Sequence, residues 1–263
     1  MTFCAHQGRT ISYRLLGQPE SPLLVLAHPL GMTQGIWDDM LPELLSRFRV
    51  LTWDLPGHGA SSAWPDDRDA IEAEDLAQEA LMLASLAGAE QFHFAGTSIG
   101  GVIGQQLLSQ HADKLLSATL TNTGPVIGTP DAWRQRADMI MEKGLQTMAP
   151  DLVPRWFGPK ICNEQPALVP GWCVQLGRTD NRSYALLCLM LGRCNFSEAF
   201  SNVQVPLQII AGSDDIATPP ASLQALAKAL GAAEPVVLEG VGHVPAVESP
   251  DRLAELLKQL GRV

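Results

Sequence analysis

The chain has 263 residues, 46% hydrophobic and 17% charged, enough to bury one large core with room for an inserted segment. Its net charge of −10 excludes nucleic acid and anionic membrane as natural partners. No apolar run reaches the ~20 residues of a bilayer span, and no basic-then-apolar leader opens the chain, so a cytoplasmic location is expected.

In chain order, Thr10 to Leu16 is the clearest strand of the opening and is expected to add an antiparallel edge. Leu23-Leu24-Val25-Leu26-Ala27 is a continuous apolar run, the pattern of a parallel strand buried on both faces. A helix over Gln34 to Ser46 leads to the strand Arg49 to Trp53, which Asp54-Leu55-Pro56-Gly57-His58-Gly59 stops. A helix over Glu72 to Leu86 then precedes the strand Gln91 to Ala95, and a helix over Ile99 to Gln110 precedes Ser117 to Thr121. The last part reads as strand Leu207 to Ala211, helix Ala221 to Leu230, strand Val236 to Leu238 and helix Arg252 to Leu260. Strands alternating with helices imply an α/β fold with a doubly wound, mostly parallel sheet.

One stretch breaks the alternation. From Gly124 to Phe200 there is no strand pattern, only apolar residues at helical spacing punctuated by prolines. The expected organisation is therefore a core of residues 1–123 and 201–263 with a helical cap, 124–200, inserted between sheet strands. A cap folded over the strand C-terminal ends would cover the place where open α/β sheets bind ligands. It holds eight Lys/Arg against seven Asp/Glu, so it is net +1 while the remainder is −11. That asymmetry suits an anionic substrate.

Chemistry concentrates on Gly96-Thr97-Ser98-Ile99-Gly100, a G-x-S-x-G run between a strand and a helix. This spacing raises a serine on a sharp turn, with glycines letting strand and helix approach closely. A serine hydroxyl is a poor nucleophile without a base to take its proton and a third group to orient that base. His243, in Gly240-Val241-Gly242-His243-Val244-Pro245 after the last strand, is placed to be the base. The acid should follow the penultimate strand, where Asp214 and Asp215 are adjacent. Neighbouring side chains in an extended loop point apart, so only one can meet His243; Asp215 is favoured, with Asp131 a remote third.

Acyl transfer also needs N–H donors for the developing oxyanion. Ile99 supplies one, and because Pro29 has no N–H, Leu30 is the second candidate. His28 is expected to fix that loop by hydrogen bonding, His58 to belong to a structural turn, His93 to be a hydrogen-bonded core residue, and His111 to be solvent-exposed. Five cysteines without a C-x-x-C pair fit reduced thiols and give no zinc ligand set. No Rossmann fingerprint, P-loop or H-E-x-x-H occurs, so neither metal nor cofactor is expected. In the cap, Trp133, Arg136, Trp156 and Arg193 are the candidates for substrate contact. Arg136 leads because it follows Trp133 by three residues and shares a helical face with it.

With these residues in view, the chain resembles the α/β-hydrolase superfamily over essentially its whole length, and within it the 3-oxoadipate enol-lactonases. The resemblance is carried by Ile36-Trp37-Asp38, Arg47 to Leu51, Gly57-His58-Gly59-Ala60-Ser61 and the Ser98 turn. It continues through Thr121-Asn122-Thr123, Ile127 to Trp133, Arg136 and Arg155-Trp156-Phe157, then Ala211-Gly212, Asp215 and Thr218-Pro219-Pro220. It implies a hydrolase that opens a small enol-lactone bearing a carboxylate, with Asp215 as acid and His243 as base. Two segments depart: His28-Pro29-Leu30-Gly31 stands where the family resembles Asn-Ser-Leu-Gly, and Gly192-Arg193-Cys194-Asn195 where it carries an Arg-Asp pair. A small-molecule ester or lactone is thus the expected partner. Thioesterase, C–C hydrolase and perhydrolase chemistry share the same residues, and a non-catalytic receptor on this scaffold is the reading from another class.

Overall fold

The structure, a computed structural model, describes residues 2–260. The expected core segments extend to Met1 and to residues 261–263, which lie outside the described residues. Strands β1 (Thr2–His6), β2 (Arg9–Leu16), β3 (Leu23–Ala27), β4 (Arg49–Trp53), β5 (Phe92–Thr97), β6 (Leu115–Thr121), β7 (Leu207–Gly212) and β8 (Val236–Leu238) form one sheet. Their order is β1-β2-β4-β3-β5-β6-β7-β8, with β2 antiparallel to both neighbours and every other pairing parallel.

The opening holds two strands where one stood out in sequence. Gln7 and Gly8 both have positive φ (47° and 81°), so a two-residue turn of the kind that favours hairpins joins β1 to β2. The helix expected over 34–46 is divided: Gln34–Met40 is a 3-10 turn capped by the Thr33 side chain, and Leu41–Leu44 is the single turn α1. Pro42, in the first turn of α1, has no N–H to continue the ladder from before it. The other core helices are α2 (Ala73–Leu86), α3 (Ile99–Gln110), α9 (Pro220–Leu230), α10 (Pro245–Glu248) and α11 (Pro250–Leu260).

Between β6 and β7 the described chain makes only helices: α4 (Pro130–Lys143), α5 (Leu145–Leu152), α6 (Pro159–Glu164), α7 (Leu168–Leu176) and α8 (Asn181–Arg193). Thr129 caps α4 ahead of Pro130, and Asp180 caps α8 through the Ser183 N–H, so each start has its sequence reason. This helical insert meets the loops at the C-terminal ends of the strands. Asp180 donates its N–H to the Gly57 carbonyl behind β4, and His243 donates its N–H to the Trp156 carbonyl.

Chain connections run from β3 outward to β4 and then back across to β5, so the winding direction reverses between β3 and β5. A crevice opens at such a reversal. Helix α3 starts there, and it packs closely on the sheet because a Cβ at Gly104 would run into Phe94 and Leu120. Ile99, Val102, Ile103 and Leu107 of α3 are fully buried, each contributing about 1.5–3 kcal/mol of apolar burial.

Candidate active site

Ser98 joins β5 to α3 with φ 59° and ψ −116°, a conformation a side-chain-bearing residue adopts only under constraint. The constraint is steric. A Cβ on Gly96 would strike the Gly100 carbonyl, and one on Gly100 would strike the carbonyl of Ala27 at the end of β3. Strand and helix are therefore pressed together around the serine, and Ser98 lines a cavity of about 240 Å³.

His243, from the loop after β8, lines the same cavity, and its Nδ1 lies 2.8 Å from Asp215 Oδ2. Asp215 is buried in the loop after β7. Its Oδ1 accepts the Ala217 and Thr218 N–H groups, and its Oδ2 also accepts the Thr218 hydroxyl and the Asn122 amide. Burial alone would raise the Asp215 carboxyl, but the adjacent imidazole and these hydrogen bonds outweigh it and bring its pKa to about 2. Asp214 is exposed, and among the described residues its side chain accepts only the Ser213 hydroxyl. Asp131, in the first turn of α4, is exposed as well. Of the three carboxylates weighed in sequence, the fold brings Asp215 to the imidazole.

Leu30 lines the cavity from the loop after β3, and Ile99 is the first residue of α3. Neither backbone N–H donates to a protein acceptor among the described residues, which leaves both free for a ligand oxygen. Two buried histidines shape the loop carrying Leu30. His58 Nε2 accepts the Gly31 N–H at 2.9 Å while its Nδ1 faces the Pro56 carbonyl; His28 Nε2 accepts from Leu55 while its Nδ1 faces the Pro29 carbonyl. These partners assign both rings as neutral, with the proton on Nδ1. Burial lowers both pKa values, that of His58 to about 3. His93 bonds the Ser117 hydroxyl inside the core. His111, expected to be exposed, is half-buried against Glu74.

The insert supplies the opposite wall. Trp133, Arg136 and Trp156 line the cavity, as does Tyr184. The Arg136 guanidinium lies 4.7 Å from the Trp133 ring centroid, a cation–π contact across one turn of α4. Burial pushes the Tyr184 phenol up, and Arg136 is near enough to act against that shift. Among the described residues Arg136 has no carboxylate partner. Arg193 is the correction. It is absent from the cavity wall and donates to the Ile71 carbonyl and to Glu72, because the last turn of α8 faces the start of α2.

Three contributors had no assigned role in the sequence reading. Arg155 lines the cavity beside Trp156; its adjacency to Trp156 was the available signal. Asn122, at the end of β6 with φ 46°, gives both amide hydrogens away, to Asp215 Oδ2 at 2.9 Å and to the Gly242 carbonyl at 2.8 Å. Glu248, at the end of α10, accepts the N–H groups of Gly158, Gly242 and Val244. Burial raises the Glu248 carboxyl, with those three N–H groups and His243 opposing. Among the described residues no cluster of three metal-ligating side chains occurs.

A sequence model described as the alpha/beta hydrolase family matches residues 24–256. The chain belongs to that family. Family membership makes it a hydrolase, with the eight-stranded sheet and Ser98 turn described above. It is 28% identical over 253 residues to 3-oxoadipate enol-lactonase 1 of Acinetobacter baylyi, covering 95% of this chain and 92% of that one. It is 25% identical to a pimeloyl-[acyl-carrier protein] methyl ester esterase of Aeromonas hydrophila, covering 95% and 98%. Among solved structures, the enol-lactonase of Burkholderia xenovorans LB400 superposes with a TM-score of 0.93 at 28% identity, covering all of both chains. No helix among the described residues is long and apolar enough to cross a membrane.

Proposed function

We propose that this family member is a serine hydrolase of small carboxylic esters or lactones, acting on an enol-lactone that bears a carboxylate. The observation that carries the reading is one cavity bounded by Ser98, the Asp215-paired His243 and the free Leu30 amide on one side, and by Arg136, which no carboxylate of the described residues neutralises, on the other. His243 Nε2 takes the Ser98 proton as Oγ attacks the ring carbonyl, and the N–H groups of Ile99 and Leu30 hold the oxyanion. Asp215 keeps the imidazole oriented and stabilises its cation. Collapse breaks the acyl C–O bond, and the imidazolium returns its proton to the leaving enolate oxygen. Water, deprotonated by the same histidine, then releases the acid and restores Ser98.

Residues 124–200 act as a cap that selects the substrate. A planar guanidinium can bind a carboxylate through two parallel N–H bonds, and Arg136 is so placed, with Arg155 nearby. The enol-lactonases among the relatives support the lactone, while the altered loop at His28-Pro29 leaves room for a sibling substrate. Five free cysteines fit a reducing cytoplasm. The test is turnover of 3-oxoadipate enol-lactone and of p-nitrophenyl acetate by the wild type and by Ser98→Ala. Loss of both turnover and fluorophosphonate labelling in a folded variant is expected. Full activity without the hydroxyl would overturn the mechanism, and turnover of the acetate alone would overturn the lactone.

A further inference from the structure

We propose that Glu248 is a positioning residue that ties the placement of His243 to the helical insert; this rests on His243 being the base. Its carboxylate sits under the base loop and accepts N–H groups on both sides of the histidine, Gly242 at 2.8 Å and Val244 at 3.1 Å. The oxygen that takes Gly242 also takes Gly158 of the insert, again at 2.8 Å. The connection is doubled, because the His243 N–H goes to the Trp156 carbonyl at 2.8 Å. There is no slack in this contact: a Cβ on Gly242 would lie 2.5 Å from the Gly158 nitrogen.

The same short segment reaches the loop that carries Leu30. The Trp156 ring lies against Gly31, where an added Cβ would come within 3.0 Å of it. Trp156 also lines the cavity. A ligand bearing on Trp156 therefore touches a segment whose backbone holds the base and whose ring abuts the oxyanion loop. An ionised carboxylate is the side chain suited to three converging N–H groups, since both its oxygens only accept. Glutamine would turn its amide N–H toward one of them, and aspartate is a methylene shorter. The titratable groups facing Glu248 are His243 on its own side and Cys162 from α6.

The test uses Glu248→Gln and Gly158→Pro, assayed on p-nitrophenyl acetate with thermal melting as the folding check. Gly158 has φ −68° and follows Phe157 in extended backbone, so proline suits the backbone angles there, while its ring deletes the N–H and sets carbon against Glu248 Oε2 in its place, forcing the insert off the base loop. Each variant is expected to lower kcat by roughly 10- to 100-fold, the scale of a catalytic group misplaced by about an ångström, with KM little changed. The acidic limb of kcat/KM should move to lower pH in Glu248→Gln, which loses an anion beside the imidazole, and stay in place in Gly158→Pro. The double variant should fall little below the worse single one, since both cut the same connection. Wild-type kcat and an unmoved limb in Glu248→Gln, or losses that multiply in the double variant, would overturn the coupling. Fluorophosphonate labelling of wild-type Ser98 reports separately on the serine mechanism, so failure of that reading and failure of this one give different results.

Discussion

The two walls of the cavity are held by different physics. On the sheet side the groups that hold the base and the oxyanion loop are bonded to one another: Asp215 accepts from five groups, Asn122 spends both amide hydrogens, and His28 and His58 are locked by backbone partners on both ring nitrogens. On the insert side the wall is Trp133, Trp156, Ile127 and Leu152, with arginine heads that no carboxylate of the described chain neutralises. A fully committed network fixes atoms to the fraction of an ångström that bond making requires. An apolar wall with arginines that no carboxylate of the described residues neutralises fixes little beyond size and sign. On the proposed reading, the sheet side would set the reaction type and the insert the choice of substrate.

Substitutions should separate the walls, beginning with the largest effect. Asp215→Asn should lower kcat by roughly 10⁴-fold, as loss of the orienting carboxylate does in serine proteases, whereas exposed Asp214→Asn should cost far less. The reverse ranking in a steady-state assay would mean that burial and hydrogen bonding at Asp215 serve folding alone. On the insert side, Arg136→Ala should weaken kcat/KM for an anionic lactone by ~1.5–3 kcal/mol and barely alter a neutral ester of similar size. Arg193→Ala, which only loses Ile71 and Glu72, should leave both substrates alone. Equal losses on both substrates at Arg136 would assign it to holding the insert together.

A further effect is thermodynamic. His58 stays neutral in the fold down to about pH 3, against an ordinary value of 6.5, so the unfolded chain binds a proton first as pH falls. The stability that neutrality confers is complete above about pH 6.5 and drains away toward pH 3. Between pH 7 and pH 5 its share is about 2 kcal/mol. Urea unfolding at the two pH values should therefore show a smaller difference in His58→Asn, which keeps an acceptor for Gly31. An identical difference would show that His58 is protonated in the folded chain.

This division also governs what could be read from sequence. Strands such as Leu23–Ala27 are buried on both faces, so they appear as unbroken apolar runs. Ser98 is announced by glycines that its own turn requires, and Trp133 with Arg136 by local helical spacing. Arg193 misled because the direction of the last turn of α8 depends on Glu72, 121 residues away. Asn122 and Glu248 share that difficulty. Asn122 bonds Asp215 and Gly242, up to 120 residues distant, and Glu248 bonds Gly158, 90 residues away, as well as the loop just before it. The Gln7-Gly8 hairpin was not read from the sequence, because the mixed burial of β1 blurs its alternation.

The backbone at Ser98 has a consequence beyond catalysis. Its φ of 59° with ψ of −116° is a conformation that glycine occupies freely and serine does not, a difference on the order of 1–3 kcal/mol. The sequence that works is therefore not the most durable one this backbone could carry. Ser98→Gly should melt at a higher temperature than the wild type while turning nothing over, so a screen for heat resistance alone would drift toward a dead protein. If Ser98 is the nucleophile as proposed, a requirement for turnover is what holds a side chain at that position, against the preference of the chain itself.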